Sequence, residues 1–158
     1  MFYTSDIKHA KRVSAPHQHS PETVSETVII HPQTGQRDVT IGEAKESIES
    51  KPIADQTDLR RIGILISKTL SDWEHAPEQP VVCIHSLSDM IEAVDDDQLV
   101  FQFLHILHNC VTSYDARAHY HLDPNRHTEA TVQTFRSLFD LTLWYDEDGT
   151  VSLSPVQH

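Results

Sequence analysis

The chain has 158 residues, 38% of them hydrophobic, and carries 24 acidic against 12 basic side chains, a formal charge of −12. That length suits one domain with a real core, and no stretch approaches the roughly 18 uninterrupted apolar residues of a membrane span. So acidic a body repels phosphates, which disfavours non-specific nucleic-acid binding. The charge is uneven: residues 1–57 hold 8 acids and 6 bases, whereas residues 58–158 hold 16 and 6. Met1 to Arg12 lacks the apolar stretch of a secretory signal, so a cytoplasmic location is expected. Cys83 and Cys110 both lie in apolar segments and read as buried, reduced thiols rather than a disulfide framework.

In chain order, Phe2 to Ser5 reads as a short strand. Ser14 to Glu26, rich in Ser, Pro, His and Thr, reads as a loop or poorly ordered stretch. Val28, Ile29 and Ile30 form a β-branched strand ended by His31-Pro32. A turn around Gly35 follows, and Val39 and Ile41 alternate with polar neighbours as a further strand.

The second half is more sharply patterned. Thr57 or Asp58 caps a helix to about Trp73, whose Leu59, Ile62, Ile66, Leu70 and Trp73 form one stripe, widened by Leu65. Pro77 and Pro80 stop it. Val81 to Ile84 is a continuous apolar run, as in a strand covered on both faces, and Ser86 with Asp89 signals a helix directly after it. A longer helix is expected over about Asp96 to Ser113, with Val100, Phe103, Leu104, Leu107 and Val111 on its apolar face. Ala116 to Leu122 reads as a strand closed by Asp123-Pro124. Thr128 caps a third helix buried through Val132, Phe135 and Phe139. Leu141, Leu143 and Tyr145 alternate before a turn at Asp148-Gly149 into Val151 and Leu153, a terminal hairpin. Strands alternating with amphipathic helices predict an α/β fold, a mostly parallel sheet with helices on both faces. Residues 1–54 read as a variable N-terminal part and 55–158 as the α/β core, one domain overall.

Within residues 55–141 the pieces "VVCIHSL", "FQFLHIL" and "AHYHLDP" stand out, and the stretch resembles RecA/KaiC-like proteins of halophilic archaea. The resemblance implies a RecA-like core for residues 55–158. It also makes "VVCIHSL" the strand whose end carries the acid that holds Mg²⁺ through water. His85 stands at that position, and imidazole is a poor Mg²⁺ ligand. A phosphate-binding loop needs closely spaced glycines followed by Lys and Ser or Thr. None of the four glycines (Gly35, Gly42, Gly63, Gly149) fits such a pattern. In this alignment the family's first strand, phosphate loop and first helix would precede Met1, so the chain reads as a degenerate member.

The remaining candidate residues each have a plainer role beside the chemical one. His119 and His121 alternate on one side of a strand, and Asp123 or His127 would complete a metal-ligand set; the plainer role is polar histidines at the sheet's carboxyl edge. His105 and His108 flank the apolar stripe of their helix and read as solvent-facing. His9, His17 and His19 fall in the Ser/Pro-rich stretch. Ser86 follows a strand as hydrolase nucleophiles do, yet its turn lacks flanking glycines, and an N-cap role fits it better. Asp95, Asp96 and Asp97 read as a solvated helix start.

The expected function is therefore a non-catalytic regulatory or protein-interaction module, with no catalytic residue and no cofactor. The alternative is a nucleotide-binding or DNA-associated regulator without hydrolysis, and a third class is a metal enzyme using His119, His121 and Asp123. A protein partner or a homo-oligomer is expected, because a RecA-like core without its first unit leaves a sheet edge uncovered.

Overall fold

The computed structural model describes residues 2–4, 26–33, 48–145 and 151–155 and gives a mixed α/β protein. It forms two compact units, Met1–Leu122 and Asp123–His158. No described helix is long and apolar enough to cross a membrane.

In the first unit, β1 (Phe2–Thr4), β2 (Thr27–Pro32), β3 (Ile48–Ile53), β4 (Val81–His85) and β5 (Arg117–Tyr120) form one sheet, ordered β3-β2-β1-β4-β5. All four of its pairings are parallel. The first 54 residues, read from sequence as a variable part, thus supply three of its strands. Ile29, Ile30, Val82 and Ile84 are fully buried, as β-branched and aliphatic runs in interior parallel strands should be. The chain strays from expectation at β2, which continues through His31 and Pro32 to pair with Pro52 and Ile53 of β3. β3, IESKPI, was not expected as a strand. It is polar and contains Pro52, both tolerated because it ends the described sheet, where one row of N–H groups needs no strand partner. Side chains fasten it: buried His31 donates from Nδ1 to the Pro32 carbonyl at 3.0 Å, leaving Nε2 to accept from the Ser50 hydroxyl at 2.8 Å. Lys51 reaches Thr69 Oγ1 at 3.2 Å. The Val39–Ile41 strand and the Ser14–Glu26 loop fall almost wholly outside the described residues.

Among its described residues this unit also has three helices: α1 (Leu59–Asp72), α2 (Leu87–Val94) and α3 (Asp97–Ser113). α1 packs on β2 and α3, and α3 packs on α2 and β5. Leu59, Ile62, Ile66, Leu70, Val100, Leu104, Leu107 and Val111 are buried, so the 3.6-residue stripes do face the core. Each helix begins on a side-chain cap: Asp58 accepts from the Arg61 N–H at 2.8 Å, Ser86 from Asp89 at 3.2 Å, and Asp96 from Leu99 at 2.9 Å. The acidic triplet is thereby divided. Asp95 closes α2 in a left-handed conformation with φ 55°, Asp96 caps α3, and Asp97 opens it. Asp96→Ala is expected to cost about 1 kcal/mol, with Asp96→Asn near neutral, as read from urea midpoints; equal losses for both would mean the cap bond contributes nothing.

In the second unit, a 3-10 turn (Pro124–Arg126) leads to α4 (Glu129–Arg136), capped by Thr128, whose hydroxyl accepts from Thr131 at 3.1 Å. Phe135 is buried, whereas Phe139 lies beyond the end of α4 and is half-buried, so the helix is shorter than its apolar spacing predicted. β6 (Leu141–Tyr145) pairs antiparallel with β7 (Val151–Pro155); the connecting Asp148-Gly149 turn is outside the described residues. Arg136 joins α4 to this ribbon, donating to Ser154 Oγ at 2.9 Å with its guanidinium carbon 5.8 Å from the Trp144 ring centre.

Candidate functional site

The candidate site grows out of the pairing between β4 and β5. Side chains alternate along a strand, and directly paired residues of neighbouring parallel strands point to the same face. Cys83 pairs with His119, and the Cys83-x-His85 and His119-x-His121 spacings extend that row by two residues on each strand. The row continues past the last ladder residue because the His121 N–H donates to the Ile84 carbonyl at 3.1 Å, and the Leu87 N–H donates to the His121 carbonyl at 2.8 Å. The opposite face is different in kind: Val82 and Ile84 are buried, paired with Ala118 and Tyr120.

Cys83 Sγ and one ring nitrogen each of His119 and His121 lie within 4.8 Å of one another. The His119 and His121 rings meet edge to face at 5.5 Å, and the His85 ring lies 5.2 Å from that of His121. Cys83 is 4% exposed, while both partner histidines are exposed, so the sulfur forms the floor and the imidazoles the rim. Burial pushes the Cys83 thiol up to about 11, so at neutral pH it is protonated and a poor nucleophile. Partial desolvation by the sheet holds His119 below its ordinary value, which favours the neutral, lone-pair-bearing ring. On the other face, burial raises the Tyr120 phenol to about 12.

His85 occupies a second notable position. The strands run outward from β1, to β2 and β3 on one side and to β4 and β5 on the other. Sheet order therefore reverses between β1 and β4, and open α/β sheets characteristically bind ligands at the carboxyl ends of strands flanking such a reversal. His85 ends β4 there, followed by a cis peptide to Ser86. Ser86 is bound to its capping role, which leaves its hydroxyl serving the helix.

Of the metal candidates named from sequence, His119 and His121 come together, and Cys83 joins them. Asp123 and His127 belong to the second unit, where Asp123 accepts from the Asn125 N–H at 3.0 Å to cap the 3-10 turn that His127 ends. Sequence reasoning missed Cys83 because a cysteine in an apolar run reads as core. The alternating Cys-x-His and His-x-His pattern held the signal, but it becomes a site only once β4 and β5 are known to pair. Both thiols are free, and Cys83 is buried as expected, whereas Cys110 is half-exposed. It lies in an apolar groove between α1 and α3, lined by Gly63, Ile64, Phe103 and Ile106, with Arg60, Lys68 and Asp72 along it. His105 is exposed and His108 half-exposed, both away from the cluster in sequence and element.

The chain belongs to a family of unknown function, DUF7504, whose pattern matches residues 2–144 and so covers nearly all of the first unit and part of the second. No curated protein matches it.

Proposed function

We propose that this chain is a non-catalytic regulatory or protein-interaction module built on a RecA-like ATPase fold, a parallel sheet with helices on both faces, that does not hydrolyse ATP. The observation that carries this reading is the end of β4. A RecA-like ATPase needs a carboxylate there to hold Mg²⁺ through water, because Mg²⁺ demands hard oxygen ligands; β4 ends on His85. The glycine content points the same way, since none of Gly35, Gly42, Gly63 and Gly149 lies in a Gly-x-x-x-x-Gly-Lys pattern.

The expected result is no phosphate release above a buffer blank with Mg²⁺ and ATP, for the native chain and for His85→Asp alike. An acid at position 85 repairs metal positioning alone, whereas losing a single preorganised donor already costs ~10²–10³ in rate. Turnover by either protein, free of contaminating ATPases, would overturn the reading. The reversal of strand order at His85 favours a second reading, nucleotide binding without hydrolysis. Saturable binding of a fluorescent ATP analogue, with no hydrolysis, would select it.

The partner in this proposal is a second copy of the chain, seated on the groove between α1 and α3. Arg60 and Asp72 lie near opposite ends of α1, about 18 Å apart along a helix rising 1.5 Å per residue. Two copies apposed antiparallel about a two-fold axis bring each Arg60 beside the other copy's Asp72 and cover Ile64 and Ile106 together.

A further inference from the structure

We propose that Cys83, His119 and His121 bind a zinc ion, with the fourth coordination position open to solvent. The donor set selects the class of ion. One sulfur and two imidazole nitrogens suit borderline-soft Zn²⁺, whereas Mg²⁺ and Ca²⁺ require oxygen ligands that the cluster does not supply. Geometry supports the number of ligands. Bond lengths of about 2.3 Å to sulfur and 2.0–2.1 Å to nitrogen in a tetrahedron place donors about 3.5 Å apart. The three donors already lie within 4.8 Å of one another, so χ rotations of the two exposed histidines are enough to close the gap.

The backbone is held independently of any ion. Cys83 and His119 are ladder partners, and His121 is fixed by main-chain hydrogen bonds to Ile84 and Leu87. The ion would rest on the sulfur with the imidazoles around it, entering from the side on which both histidines are exposed. Binding a neutral thiol releases one proton as the Zn–S bond forms, and two neutral imidazoles donate without proton loss, so the charge and proton balance closes. The His85 ring, beside that of His121, borders the site without being one of its ligands.

The site makes no use of the ATPase argument and stands or falls separately. The test uses the full chain without a polyhistidine tag, titrated with Co²⁺ as a spectroscopic stand-in and then with Zn²⁺. Expected are one Co²⁺ per chain, a thiolate-to-cobalt charge-transfer band, visible bands of tetrahedral intensity, and their loss as Zn²⁺ displaces cobalt. Cys83→Ser should abolish the charge-transfer band, and His119→Ala and His121→Ala should each weaken zinc binding by on the order of a hundredfold or more. Should Cys83→Ser lose its circular-dichroism signature, the two histidine variants, at exposed positions, decide the matter. Replacing His9, His17 and His19 together by Ala should leave affinity unchanged. The proposal is overturned by a native chain lacking the charge-transfer band, by zinc affinity that survives both His119→Ala and His121→Ala, or by affinity that disappears with the three N-terminal histidines.

Discussion

Leu104→Ala is expected to lower the unfolding free energy by about 3 kcal/mol, within the 2–5 kcal/mol range for truncating a buried leucine. Leu104 is 1% exposed and sits mid-way along α3, the helix that packs against α1, α2 and β5. Removing three heavy-atom positions there loses transfer free energy and leaves a void that three different elements would have to move to fill. Two residues along the same helix, Ile106 is 68% exposed, and Ile106→Ala should change stability by less than about 0.5 kcal/mol. Small domains have only 5–15 kcal/mol to lose, so the first variant should shift the urea midpoint clearly while the second leaves it in place. Equal shifts would mean that the stripe on α3 does not face the core. The measurement is best made at low protein concentration, where association does not add to apparent stability.

That contrast between Leu104 and Ile106 marks where the sequence was legible. Helix stripes at Leu59, Ile62, Ile66 and at Val100, Leu104, Leu107 were readable because burial of one helical face imposes a 3.6-residue period. The caps Asp58, Ser86 and Asp96 were readable for a local reason as well: a side-chain oxygen need only reach an N–H three residues on. β3 was illegible because an edge strand is selected for what it must avoid, and IESKPI carries charge and proline instead of alternation. Sheet order was not locally encoded at all. Nothing near Phe2 says that it lies between Ile29 and Cys83.

The candidate site follows the same division. His119 and His121 could be named together because they share one strand, and a strand's period is fixed. Cys83 is 36 residues earlier than His119, and only the parallel register puts the two side by side. Asp123 was the natural third ligand by proximity in sequence, yet its carboxylate caps a turn in the other unit. Local chemistry therefore found two of the three ligands, and tertiary pairing supplied the third.

Ile106→Glu is expected to turn a dimer into a monomer. Ile64 and Ile106, 49% and 68% exposed, line the same groove, and a Cβ added to Gly63 would meet Phe103 Cε2 at 3.4 Å, ordinary van der Waals contact, so Phe103 backs the groove at Gly63. Burying an isoleucine side chain fully is worth roughly 1.5–3 kcal/mol, and in a two-fold interface every substitution acts twice. Losing both copies of Ile106 should weaken association by on the order of 10²–10⁴-fold, and each new carboxylate adds an unpaired charge to be desolvated. Because the side chain is exposed in the single chain, stability of the monomer should stay close to that of the native protein. Arg60→Asp tests the electrostatic half: it should weaken association, and pairing it with Asp72→Arg in the same chain should restore part of the loss, since each antiparallel contact then regains opposite charges. Sedimentation equilibrium over a range of micromolar concentrations reads all of these. A native chain that sediments as a strict monomer throughout that range removes the second copy as the partner. A dimer that Ile106→Glu leaves intact places the contact on another face. Rescue of Arg60→Asp by Asp72→Arg, with no rescue in a mixture containing only one of them, would fix the two helices as antiparallel.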